Sequence, residues 1–195
     1  MSLGLLLLAV GCEAKQDEHT PAADEEDAFW RLRFSLKPML ERQDSLQPEW
    51  VHRPFMAGLA ITYVIDRVGS IERVTTKHLE LWGISAERLH EESIASFTAP
   101  FLTEEGELHW RTYSGPDQTP VLAAPSLEST FASSLVLSPA FQASVEWLFQ
   151  GWEGLWIALP SRSSCRVLRP TDAATLRKLR AEFLRDHQSS RHPLL

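Results

Sequence analysis

The chain has 195 residues, 44% of them hydrophobic, and a formal net charge of −7 at pH 7, which suits one domain with a sizeable core plus an extension. Seven of the acids but only one lysine lie between Glu13 and Asp27, so the remainder is nearly neutral, with 18 basic and 19 acidic residues. A near-neutral folded part excludes a strong positive field, and no nucleic-acid partner is expected.

An apolar run, Leu3 to Val10, opens the chain and is closed by Gly11 and Cys12. It is too short to span a bilayer as a helix, which takes about 20 residues, but it suits the apolar region of a secretory signal. Small residues at Ala9 and Gly11 directly before a cysteine resemble a bacterial lipoprotein signal. That resemblance implies removal of residues 1–11, a lipid on Cys12, a membrane as partner and a place in the cell envelope, on the periplasmic or extracytoplasmic face. Two features depart from the pattern: no Lys or Arg precedes the run, and Ala9 stands three before the cysteine where Leu is commonest. The alternative is a cytoplasmic protein with an apolar N-terminus. Residues 12–28 are acidic, contain Pro21 and have little to bury, so they are expected to form a disordered linker to a folded domain over 29–195.

Phe29, Leu32, Leu36, Met39 and Leu40 recur at helical spacing, which predicts a helix over 29–46 that ends or kinks at Pro38. Pro48, Trp50 and Pro54 then lead into the best-patterned stretch of the chain, 58–97. Leu59, Ile61, Tyr63 and Ile65 alternate with Ala60, Thr62, Val64 and Asp66, the period of a strand rich in β-formers. Gly69 and Ser70 supply a turn, and 71–74 return. Thr75 caps a short helix closed by Gly83; Ser85 caps a longer one with Ala86, Leu89, Ser93 and Phe97 on one face.

From 98 to 125 the chain is rich in Pro and Gly, with one short strand expected over 108–113. A further strand is predicted over 130–137. Ser138 followed by Pro139 is a strong helix start, and that helix should bury Phe141, Val145, Leu148 and Phe149. The continuous apolar run 155–159 suits the middle of a sheet, with 165–168 as its hairpin neighbour. Pro170 and Thr171 start a last helix with Leu176, Leu179, Phe183 and Leu184 on its apolar face. The pattern as a whole predicts an α+β fold, one domain in which helices pack on a mixed or antiparallel sheet.

An ordered set of segments carries a resemblance. LAITYVID followed by VTTKHLELWGISAERL is similar to the first half of the YtpQ-like family of uncharacterised bacterial proteins, in which a strand ending in Asp leads to a V-T-x-x-x-L-x-x-W/L-G-x-S-x-x-x-L segment. His52, Arg53 and Pro54 before it, Ala132 to Leu137 later, and Ile157 to Arg162 near the end extend the likeness over about 48–195. The resemblance implies a fold and leaves activity open.

Chemistry-bearing residues are sparse. Seven histidines are scattered, and H-E-x-x-H, C-x-x-C, G-x-S-x-G and phosphate-binding glycine patterns are missing from the sequence. No catalytic residue, metal site or cofactor is therefore assigned. Cys165 has Arg162 and Arg166 nearby, which can lower a thiol pKa, but its place at the start of a strand favours a buried, inert thiol. Most of the seven tryptophans should serve the core with their indole N–H bonded; Trp152 and Trp156 are the pair that can border a groove. The short-helix, Gly83, long-helix unit invites a helix-turn-helix reading, which Glu87, Glu91 and Glu92 on the second helix exclude by repelling phosphates.

The Pro160 loop is the place where resemblance and physics meet. A strand end presents loop residues on a rigid scaffold, Ser161 offers a hydroxyl, and Arg162 and Arg166 can grip a carboxylate or phosphate. In the family pattern an acid follows this arginine; here Ser163 stands, so Arg162 is expected either free to meet an anion or held by another acid, with Asp66 as the candidate. The leading functional reading is a non-enzymatic envelope domain that binds another protein or a small ligand. The alternatives are an enzyme with a loop-built site near 160–162, or a cytoplasmic YtpQ-like protein.

Overall fold

A computed structural model of the chain describes residues 23–56, 58–115, 118, 120–126, 129–151, 154–169, 173–190, 193 and 194. Helix α1 (Ala23–Leu32) comes first. It starts within the acidic stretch, ahead of residue 29; acids at a helix N-terminus complement the positive end of its dipole. Phe29 is 0% exposed and packs on Trp82, ring centroids 5.7 Å apart.

The helix does not run on to residue 46. A 3-10 turn, Arg33–Ser35, delivers the chain into strand β1 (Leu36–Arg42). Helical spacing misled here because β1 is covered on both faces, so its burial does not alternate. Pro38 sits comfortably in it because β1 is an edge strand, where a missing N–H need cost no ladder bond.

Next come β2 (His52–Pro54), β3 (Leu59–Arg67) and β4 (Ser70–Arg73). The alternating stretch is β3, the spine of the first sheet. It pairs antiparallel with β1 along one edge, while β2 and β4 share the other edge end to end. Gly69 turns β3 into β4 at φ +79°. Helix α2 (Thr76–Trp82) ends at Gly83, whose φ of 61° is the left-handed cap that glycine adopts without strain. Ser85 accepts from the Arg88 N–H and caps α3 (Ala86–Thr98), which buries Leu89, Ser93 and Phe97 as the spacing predicts.

By register, Leu36, Pro38, Leu40, Ile61, Tyr63 and Ile65 share one face of this sheet. Helix α3 covers that face, and the Tyr63 hydroxyl meets His90 Nδ1 at 2.9 Å. Met39, Glu41, Thr62, Val64 and Arg73 share the other face.

The second sheet is also antiparallel, in the order β5 (Trp110–Ser114), β6 (Pro120–Pro125), β8 (Ser164–Leu168), β7 (Trp156–Ser161). Strand β6 lies in the Pro-rich segment read as loop. Residues Ala132–Leu137 form a 3-10 helix instead of the expected strand, and it contacts both β1 and β8, joining the two sheets. An unbroken apolar run reads equally well as a short helix or a strand. Helix α4 (Pro139–Leu148) starts at Ser138 as predicted, and Phe141 packs on Trp110 on the inner face of the sheet. Strand β7 is an edge strand and not a central one; Trp156 is 55% exposed. Helix α5 (Ala173–Ser189) crosses the outer face against β7. Two antiparallel sheets with helices packed on them make an α+β fold. Cys12, residues 1–22, Trp152 and the Pro170–Thr171 helix start lie outside the described residues.

Candidate functional site

Arg162 does not meet Asp66. One guanidinium nitrogen of Arg162 lies 2.6 Å from both carboxylate oxygens of Glu41 on β1. Glu41 is buried and also pairs with Arg73, whose guanidinium donates to Thr62 Oγ1 at 3.1 Å and lies over the Trp50 ring. The turn is held a second time where the Ser133 N–H donates to the Arg162 carbonyl at 2.9 Å. Ser161 is buried, its hydroxyl 3.3 Å from that of Ser163. Arg162 thus fixes the hairpin tip to the first sheet, while Ser161 bonds within the tip. Asp66 is exposed at the end of β3, where its carboxylate stays in water.

Arg162 nonetheless borders a cleft. Between the outer face of β5, β6 and β8 and one side of α5 lies a depression of about 1190 Å³. Its floor is apolar, with Leu122, Ala124 and Leu179, and its walls carry Arg111, Arg162, Arg166 and Lys178. The register explains the convergence: Arg111 faces Ala124 across β5 and β6, and Tyr113 faces Leu122, so alternate residues of two strands present to one side.

Two of these cations are already committed. Arg166 donates to Glu182 at 2.9 Å and to Asp186 at 2.6 Å, and its guanidinium stacks over Phe183. Arg111 and Lys178 are exposed and make no ion pair with any described residue. The predicted trio thus separates: Arg162 and Arg166 share a cleft, while Ser161 lies beneath it. Sequence reading missed Arg111 and Lys178. The signal for Arg111 is its alternation with Tyr113 in the short strand; Lys178 carries none, because a lysine on a polar helix face is ordinary.

On the other side of α5 a second, mainly apolar groove of about 610 Å³ runs between the helix and β7. Trp156 lines it with Leu168, Phe183 and Leu184, and Arg177 and Arg180 stand at its rim. Leu179 touches both depressions, so α5 is the wall between them.

Cys165 is buried in the core, and burial pushes its thiol up to about 12, so at neutral pH it is neither a thiolate nor a nucleophile. Trp82 is in the core as expected, whereas Trp147 is 70% exposed, and the Trp110 indole N–H is buried without a partner among the described residues. Ser163 and Ser164 offer hydroxyls to the cleft, whose one described acid, Glu182, is paired with Arg166. An apolar floor with mainly cationic walls can hold an anion that has an apolar body. No protein-family model matches the chain, and no curated protein or solved structure matches it either.

Proposed function

We propose that this chain is a non-enzymatic binding domain, a YtpQ-like protein anchored to the cell envelope by lipid on Cys12, that takes an anionic ligand into the cleft beside α5. The observation that carries the binding reading is the pair Arg111 and Lys178, two exposed cations at one apolar-floored cleft that make no ion pair with any described residue. A pocket of that composition gains orientation from a few charged contacts and affinity from the floor. Binding is favoured over catalysis because Arg162 and Ser161, the landmark of the enzymatic alternative, are spent on holding the hairpin. The anchor rests on the sequence around Cys12 alone, and the family on the ordered set of segments.

Titration calorimetry with citrate and with inorganic phosphate tests the cleft. Binding to the wild type, weakened about tenfold by Arg111→Ser with Lys178→Gln, is the expected result, since each lost charged contact at a partly exposed site removes a modest share of the affinity. Absence of binding, or equal binding by the double variant, would overturn the reading. Fractionation tests the anchor: Cys12→Ala should move the protein from membrane to soluble fractions.

A further inference from the structure

We propose that the free edge of β7 and the facing side of α5 form a docking groove for an extended acidic peptide, which joins the second sheet as an added strand. This goes beyond the anion cleft, since it lies on the opposite side of α5 and uses different residues.

Three observations converge on it. First, β7 is the last strand of its sheet, and Trp156 and Ile157 at its start are 55% and 47% exposed. An exposed apolar strand edge is a template for another strand unless something covers it, and the register of β7 with β8 is regular over Trp156 to Ala158, ahead of the irregularity that begins there. Second, the far end of the same edge already accepts chain in this manner. Ser161 forms an antiparallel bridge with Pro193, and His187 Nδ1 donates to the Pro160 carbonyl at 3.1 Å. The stretch before Pro160 has no such partner among the described residues, and the apolar groove lies beside it.

Third, the charges of α5 are sorted by side. Its two described acids, Glu182 and Asp186, turn to Arg166 on the sheet. Arg177 and Arg180, one turn apart, are exposed at the rim of the groove without an ion-pair partner among the described residues. An occupant is therefore expected to carry carboxylates.

An extended segment of about five residues would span β7 at roughly 3.3 Å per residue. Alternate side chains would enter the space against Trp156, Leu168 and Phe183, acids would reach Arg177 and Arg180, and main-chain bonds to β7 would supply affinity. That is the arrangement of strand-addition peptide sites, in which a sheet edge and a helix flank one groove. Concavity argues for a peptide over a lipid surface: a bilayer is met by protruding apolar side chains, whereas here the apolar contacts line a hollow.

Selection from a displayed random heptapeptide library against the full chain tests the proposal. Enriched peptides should combine Asp or Glu with alternating apolar residues. A synthetic peptide of the enriched sequence should lose about tenfold in affinity against Arg177→Glu with Arg180→Glu, a change at two exposed positions. N-methylation of its alternate amides should weaken it likewise, because strand addition uses the main chain. No enrichment over a blank surface would overturn the proposal, as would N-methylated peptides that bind as well as the parent. Sedimentation with phosphatidylserine vesicles that depends on Arg177 and Arg180, in the absence of peptide enrichment, would assign this face to membrane instead.

Discussion

Arg162, in the turn between β7 and β8, grips both carboxylate oxygens of Glu41, which lies 121 positions earlier on the edge strand of the other sheet. Arg73 holds the same carboxylate from β4. One buried acid thus joins three elements and fixes how the two sheets meet. The charge would be costly to bury alone, and two guanidiniums with Thr62 beside them satisfy it.

Arg162→Ala should lower unfolding free energy by about 1–3 kcal/mol, the cost of removing one charge-assisted partner from a buried carboxylate. Glu41→Ala should cost more, about 3–5 kcal/mol, because it leaves two partly buried guanidiniums facing each other. Urea denaturation of the two variants checks the order. Equal stability of Arg162→Ala and wild type would mean that the strap does not hold the sheets.

Cys165 gives a prediction in alkali. Its thiol is pushed up to about 12 by burial, while in the unfolded chain it titrates near 8.5. Between those values the unfolded chain releases a proton that the folded chain retains, so stability falls as pH rises through the window. Cys165→Ala should flatten that fall, measured against wild type from pH 8 to 10. Iodoacetamide at pH 8 should label the native thiol only as fast as the protein opens; rapid labelling would contradict the burial.

His90 gives the acid counterpart. Burial, and then the nearby Arg53 charge, hold its pKa below the usual histidine value, and its Nδ1 takes a hydrogen bond from Tyr63. The stability this confers is present above about pH 6.5 and is lost as pH falls from there through the lowered folded value, because the unfolded chain binds the proton first. His90→Gln retains an acceptor for Tyr63 and removes the titration. Its stability should therefore decline less steeply from pH 7 to 5; identical slopes would remove His90 as a cause.

The unit from Gly58 to Phe97 was legible because each local signal agreed with the next. Alternation set β3, Gly69 and Gly83 stood where positive φ is needed, and Ser85 capped α3. Legibility failed where burial comes from tertiary cover. Strand β1 is buried on both faces, so its apolar residues fell by accident on a helical period. Strand β7 has an apolar sequence but stands at an edge, and no property of Leu155 to Leu159 distinguishes a central strand from one that α5 covers on one face. Arg162 was recognisable as a residue in need of an acid. Its partner was not, because the helical spacing of 29–46 puts Glu41 in a helix, where inward and outward positions follow a different period.

The position of Phe29 sets where the stable domain begins. Composition alone places the boundary at Ala28 and Phe29, but α1 opens at Ala23 and carries Phe29 against Trp82 and Trp30, with ring centroids 5.7 and 5.5 Å apart. A chain cut to start at Ala23 should therefore unfold in one cooperative transition at the wild-type midpoint, the outcome expected if the acidic sequence of residues 13–22, which has little to bury, is a linker. Phe29→Ala in the same chain should cost about 3–5 kcal/mol, the range for emptying a buried aromatic site. Removal of residues 1–29 should cost at least as much, because the helix that positions Phe29 goes with it. Thermal unfolding of the three proteins decides the matter. If the chain lacking residues 1–29 melts with the wild type, α1 is an appendage and the core closes without it.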